Sequence, residues 1–193
     1  MSSLLRLYAA IENRVLDVVM TGRLLTRKTL AVTQEAKDTV PTDWYFLHHM
    51  MSEFDFREGD NIVDVGCGTG RVLAYLARRF PHARLTGIEL NQQVAAIAAM
   101  VVPSKCEVIA GNILEVCPDT ANVFYMFNPF YAEIMREFCE KILNNLPSFT
   151  IIYAVPVHLD TIEKYCNEIN FIKLRTIKSK IRGIDREYAI IIK

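Results

Sequence analysis

The chain has 193 residues, 51% of them hydrophobic, and its 22 basic and 22 acidic side chains cancel. One domain of that size can bury about 70% of its unfolded surface, so no disulfide or metal staple is needed, and a net charge of zero disfavours nucleic acid as a partner. Five cysteines, with no C-x-x-C pair, fit reduced thiols in a cytoplasmic protein rather than a disulfide framework.

Leu4, Leu7, Tyr8, Ile11, Val15, Val18 and Val19 recur at helical spacing, with Arg6, Glu12, Arg14 and Asp17 between them. This predicts an amphipathic N-terminal helix that packs on the domain or on a second subunit as a homodimer or partner contact, with a membrane-surface role as the alternative. Acids inside the segment and the lack of a small-residue cleavage site speak against a signal peptide. No apolar run reaches the roughly 18 to 20 residues needed for a transmembrane segment. Thr21 to Thr39, rich in threonine, lysine and arginine, reads as a connector that can lie over a ligand as a lid. Residues 1–40 therefore form an arm, and residues 41–193 the main domain.

Pro41-Thr42-Asp43 offers a helix start before Trp44 to Phe54. Asn61-Ile-Val-Asp-Val is an apolar strand carrying one acid, Asp64, and it breaks into Gly66-Cys67-Gly68-Thr69-Gly70. A loop of this kind lets a bulky ligand lie on the backbone, and a helix from Gly70 to Phe80 starts at its far end. The spacing is G-x-G-x-G, with Arg71 next, and not the G-x-G-x-x-G that seats a dinucleotide pyrophosphate. Arg84-Leu-Thr-Gly-Ile-Glu89 reads as a second strand ending in an acid 20 to 25 residues past the loop, roughly the place where a nucleotide-binding sheet puts a carboxylate for ribose hydroxyls. A helix follows from Asn91 to Val101, then a third strand from Cys106 ending in Gly111-Asn112, where Asn112 either caps a turn or meets a ligand.

Asn122 to Phe127 is a near-continuous apolar strand of the type buried on both faces of a parallel sheet, and it ends in Asn128-Pro129-Phe130-Tyr131. A helix over Tyr131 to Leu146, a fifth strand over Ser148 to Val155, a short helix from His158 to Glu168 and strands over Phe171 to Lys178 and Ile184 to Ile192 complete the order, with Gly183 in the last turn. Alternating strands and helices imply an α/β fold with a doubly wound, mostly parallel sheet. There are no internal repeats and no low-complexity segments.

The run V-D-x-G-C-G-T-G-R resembles the first motif of the class I, Rossmann-like S-adenosylmethionine-dependent methyltransferases. From about Pro41 to Lys193 the chain is similar to small bacterial members with Gly66 to Leu73, Gly87-Ile-Glu-Leu90, Asn128-Pro-Phe130 and Pro156-Val-His158 in corresponding places. The resemblance implies a seven-stranded sheet with an antiparallel closing strand, and S-adenosylmethionine as cofactor with S-adenosylhomocysteine as product. It implies cofactor contacts at Asp64, Gly66, Cys67, Gly68, Gly70, Glu89, Leu90, Asn112, Ile113 and Asn128. A cysteine inside the glycine loop is a small residue that suits the space, with a redox role the alternative.

Asn128-Pro129-Phe130-Tyr131 resembles the fourth motif of methyltransferases that modify amino or amide nitrogens, although one proline of that motif is replaced and the ring arrives one position early. The resemblance implies catalytic roles for all four residues, with acceptors around Asn128 orienting the target NH groups while Phe130 and Tyr131 exclude water. His48, His49 and His158 are the candidates for a base. The reading that follows is N-methylation of a small-molecule amine or amide. A protein lysine or glutamine is the alternative, since the lysine methyltransferases of the mitochondrial ATP synthase rotor ring look distantly similar. A non-catalytic cofactor-binding partner protein is the third.

Overall fold

The computed structural model describes residues 3–25, 41–166, 168–179 and 183–193. In chain order these form α1 (Ser3–Thr21), α2 (Trp44–Met51), β1 (Asn61–Val65), α3 (Arg71–Arg79), β2 (Arg84–Glu89), α4 (Gln92–Val101), β3 (Cys106–Ala110), α5 (Ile113–Val116), β4 (Val123–Phe127), α6 (Ala132–Asn145), β5 (Thr150–Ala154), α7 (Leu159–Tyr165), β6 (Phe171–Ile177) and β7 (Arg186–Ile192). The strands make one seven-stranded sheet in the order β3-β2-β1-β4-β5-β7-β6. The first five run parallel, and β7 runs antiparallel to both β5 and β6. The expected α/β, doubly wound, mostly parallel sheet with an antiparallel closing strand is therefore the one observed, with α5 an addition that the sequence pattern had not marked.

Local sequence accounts for most boundaries. Asp43 and Asn91 start α2 and α4 by accepting hydrogen bonds from the backbone of the first turn. β1 is buried along its whole length, and neighbouring residues feed opposite layers. Ile62 joins Leu47, Leu73, Leu76 and Leu85 beneath α2, α3 and α4, while Val63 joins Phe124, Phe138, Ile142 and Ile151 beneath α5, α6 and α7. The order of strands reverses between β1 and β4, so the crevice at their carboxyl ends is the natural ligand site of the sheet.

The N-terminal helix packs on the domain, but by the face opposite its apolar stripe. Its apolar stripe does not pack on the domain: Leu4, Leu7, Tyr8, Ile11, Val15, Val18 and Val19 are all exposed, and the polar face turns inward. Asp17 is fully buried and accepts hydrogen bonds from the Arg71 guanidinium at 2.7 Å, the Trp44 indole at 2.8 Å and the Leu25 backbone N–H at 3.1 Å. Asn13 donates to Asp43 Oδ2 at 2.7 Å and accepts from the Trp44 N–H at 3.0 Å. The physical reason is Arg71, a guanidinium only 4% exposed that must have a carboxylate beside it. Satisfying that charge outweighs hiding the stripe. The connector expected over Thr21 to Thr39, and its reading as a lid, lie almost wholly outside the described residues.

Removing one partner of such a buried pair leaves the other uncompensated, so Asp17→Ala should cost about 3 to 5 kcal/mol of stability, whereas Val15→Ala on the exposed stripe should stay within about 0.5 kcal/mol. Urea unfolding of the two variants beside the native chain measures both. Equal losses would show that α1 is held by its apolar side.

Candidate functional site

Where β1 ends, Gly66, Gly68 and Gly70 take φ of 74°, 55° and 87°, a left-handed backbone that other residues adopt only under strain. The turns let Gly66 and Cys67 donate to the Ile88 carbonyl at 2.8 and 3.1 Å. Gly68 donates to Glu89 Oε2 at 2.9 Å, and Asn91 donates to Glu89 Oε1 at 3.0 Å. Each oxygen of the buried Glu89 carboxylate thus holds one loop and keeps further lone pairs for a ligand. The loop bounds a cleft of about 1040 Å³ at the switch point, lined by Asp64, Gly66, Cys67, Gly68, Glu89, Leu90, Asn112, Ile113, Asn128, Pro129 and Phe130 among others. Asn112 also caps α5 by accepting from the Leu114 N–H at 3.0 Å.

Two expected site residues stand elsewhere. Gly70 is not on the cleft wall; a Cβ there would lie 2.6 Å from Val102 Cγ1 and 3.5 Å from Ala98, so this glycine serves the close packing of α3 on α4. Tyr131 is the residue before α6, 46% exposed, and does not line the cleft. Gly87, on β2, has the same kind of role as Gly70, because a Cβ would meet Leu73 at 2.4 Å and Cys67 Sγ at 2.8 Å.

The cleft's electrostatics centre on Asp64. Burial, with the Glu89 carboxylate nearby, pushes its carboxyl up to about 8, and its Oδ2 has no hydrogen-bond partner among the described residues. The Thr69 hydroxyl on the same wall is likewise without one. A buried unpaired carboxylate is costly in the free protein. It suits a ligand carrying an ammonium or sulfonium charge, which is what S-adenosylmethionine presents. Burial, then Asp64 and Glu89, raise the Cys67 thiol well above its usual range, so it is a poor nucleophile and the redox alternative loses support.

The turn after β4 closes the other side. Asn128 has φ of 44°, and Pro129 Cβ sits 3.3 Å from where a Gly66 side chain would begin. Phe130 is buried, its ring 5.6 Å from that of Phe138. Asn128 Oδ1 accepts from the Tyr153 hydroxyl at 3.0 Å, and that hydroxyl accepts from the His158 backbone N–H at 3.2 Å. Tyr153 escaped the sequence reading because it sits within an apolar strand and looks like core. Burial pushes its hydroxyl up to about 12, so it remains a donor. Of the candidate bases, His158 meets this chain through its backbone, His48 contacts the Tyr75 hydroxyl at 3.2 Å and His49 the Tyr45 carbonyl at 2.8 Å; none lines the cleft. A second cavity of about 470 Å³ shares Pro41, Thr42 and Phe127 with the first and is walled by Phe46, Met50, Ile177 and Tyr188, with Arg186 and Glu187 also lining it.

The Asp64 carboxyl titrates higher in the folded chain than its ordinary 3.8, so the stability it contributes is fully present below that value and lost as pH rises through about 8. The ligand-free protein should lose up to about 1.4 kcal/mol per pH unit from this group across that window. Asp64→Asn should flatten the slope, as urea unfolding between about pH 5 and pH 9 would read; parallel curves for the two proteins would show that Asp64 is not the buried acid.

The comparisons with known proteins agree with this geometry. Residues 62–148 match a family described as a methyltransferase domain. Among curated relatives, a protein-lysine N-methyltransferase of Saccharolobus islandicus is 29% identical over 93 residues, covering 46% of this chain and 58% of that one. A tRNA1(Val) (adenine(37)-N6)-methyltransferase of Pedobacter heparinus is 33% identical over 79 residues, covering 38% and 34%. The chain thus spans less than two thirds of the length of either. Among solved structures, a methyltransferase from Pyrococcus furiosus superposes with a TM-score of 0.65 at 17% identity, covering 97% of both chains. An RNA methyltransferase from Salinibacter ruber, solved with S-adenosyl-L-homocysteine, gives 0.56 at 20% identity, covering 78% and 92%. Residues 62–148 thus carry a methyltransferase domain, and the strand order is that of the class I S-adenosylmethionine-dependent methyltransferase fold.

Proposed function

We propose that the chain methylates the nitrogen of a small-molecule amine or amide, with Glu89 holding the ribose hydroxyls of the cofactor, Asp64 its charged amino-acid end, and Leu90, Asn112 and Ile113 its adenine. When bound, S-adenosylmethionine supplies a methyl group already activated on sulfur. The protein's work is then alignment, which contributes on the order of 7 to 11 kcal/mol when two groups are held in line. The observation that carries this reading is the Asn128-Pro129-Phe130 turn in contact with the glycine loop, its amide oxygen oriented by Tyr153. In this reading the Asn128 amide orients a target N–H, leaving the nitrogen lone pair facing the methyl. Phe130, buried beside it, keeps water from the reacting groups, and Tyr131, at the exposed end of the turn, borders the approach. Amines protonated in bulk water must shed a proton on the way in.

A protein lysine is the second reading, favoured by the Saccharolobus relative and by the second cavity, where Phe46, Met50 and Ile177 suit an alkyl chain and Asp43 and Glu187 an ammonium. Relatives that methylate RNA make nucleic acid the third class to test. Incubation with labelled cofactor and the small-molecule, protein or nucleic-acid fraction of a cell extract separates the three, and transfer into the first alone is the outcome expected.

Titration with S-adenosylhomocysteine should show a saturable site that Gly68→Val abolishes by bulk. Glu89→Ala should weaken it about tenfold or more, since hydrogen bonds to a charged acceptor are worth about 1.5 to 3 kcal/mol. Tight binding of NAD instead would sink the assignment.

Asn128→Ala should leave that affinity nearly intact while lowering single-turnover transfer by about 2 kcal/mol or more, because only the aligned transition state uses the acceptor fully. Asn128→Gly, which relieves the backbone, should be equally slow. Proportionate losses of melting temperature, affinity and rate would mean that the turn is structural only.

A further inference from the structure

The stripe from Leu4 to Val19 along α1 is the largest feature that the catalytic reading leaves unused. Its seven apolar side chains keep between 49% and 75% of their surface exposed, and they fall within about 120° of the helical wheel. Helices on soluble domains turn such a stripe toward the core. Here the opposite face is the docked one, fixed by Asn13 and Asp17, so the stripe cannot roll inward without breaking the buried pair with Arg71. A contiguous exposed apolar face of this length marks a surface that something covers.

Charge indicates what covers it. Arg14 lies about 20° beyond Leu7 on one rim of the stripe, and Arg23 is exposed just past the end of the helix. Arg78, from α3, donates to the Val19 carbonyl at 3.3 Å and contacts Met20 Sδ at 3.5 Å, so its exposed guanidinium borders the far end, with Arg79 next to it. Of the two acids in the helix, Asp17 is buried against Arg71 and Glu12 is half-buried on the other rim. A chain with no net charge therefore places exposed arginines along one rim and at the far end of its apolar face. A second copy related by a two-fold axis would bring two such sets together, and like charges repel. An anionic lipid surface neutralises them while taking up the apolar side chains, and Tyr8 within the stripe suits the boundary between headgroups and acyl chains.

We propose that α1 lies in the plane of an anionic lipid surface, apolar stripe downward, and holds the domain against that surface. The attachment does not depend on the substrate reading, and it needs no rearrangement of the domain, because the docked face of α1 is already complete.

Co-sedimentation of the full chain with phosphatidylcholine vesicles, with and without phosphatidylglycerol, tests this. Partition onto the phosphatidylglycerol vesicles should exceed that onto phosphatidylcholine alone about tenfold or more and fall as salt is raised. Ile11→Glu should abolish partition while leaving melting temperature and S-adenosylhomocysteine affinity unchanged, and Arg14→Glu should weaken it and reduce its salt dependence. The proposal is overturned if the native chain stays in the supernatant with both vesicles. It is equally overturned if the chain forms a dimer that Ile11→Glu splits, since a second copy then covers the stripe, or if Ile11→Glu lowers the melting temperature, since the side chain is then not free to face lipid.

Discussion

The buried ion pair between Asp17 and Arg71 joins three separate parts of this molecule. Arg71 is the first residue of α3, immediately after the glycine loop, and its guanidinium donates to the Thr42 carbonyl at 2.8 Å as well as to Asp17. Thr42 and Arg71 both line the main cleft. One side chain thus ties the N-terminal helix, the start of α2 and the ligand loop into a single unit. Burial lowers the tendency of Arg71 to hold its proton, and the neighbouring Asp17 opposes that shift, so the guanidinium depends on its carboxylate partner. The indole of Trp44 completes the enclosure, with the guanidinium carbon 5.5 Å from its ring centre.

The cleft itself rests on strained backbone at strand ends. Asn128 and Val155, which follow β4 and β5, are the two residues other than glycine with positive φ among those described, at 44° and 52°. Such positions cost on the order of 1 to 3 kcal/mol each and persist where the surroundings over-determine them. For Val155 the surroundings are a hydrogen bond from its N–H to the Glu187 carbonyl at 2.9 Å and the wall of the second cavity. For Asn128 they are Tyr153 and the glycine loop. Asn128 lines the main cleft and Val155 the second cavity.

The alternation of apolar strands and patterned helices was legible because parallel strands buried on two faces read as continuous hydrophobic runs, and capping residues such as Asp43 and Asn91 mark helix starts. Glu89 was legible through its distance from the loop. The fate of Gly70 was not, because a glycine that faces a ligand and one that faces Val102 look alike in sequence. Tyr153 was hidden among isoleucines. The orientation of α1 was hidden for a deeper reason: periodicity finds a stripe but not the side to which it turns, and that side was decided by a cation fifty-four residues away. Short α5 follows from the Asn112 cap, a signal that the sequence reading noticed without assigning a helix to it.

The position of β7 has a consequence for assembly of the chain. β6 pairs with β7 in the sheet, and β7 fills the place between β5 and β6. Until β7 has been synthesised, the edge of β5, with Ile151, Ile152 and Tyr153, stands open, and β6 has no ladder to join. Both strands thus join the sheet through β7. A chain arrested or cut between them would present an unpaired apolar edge to its neighbours, the configuration from which strand exchange and aggregation begin.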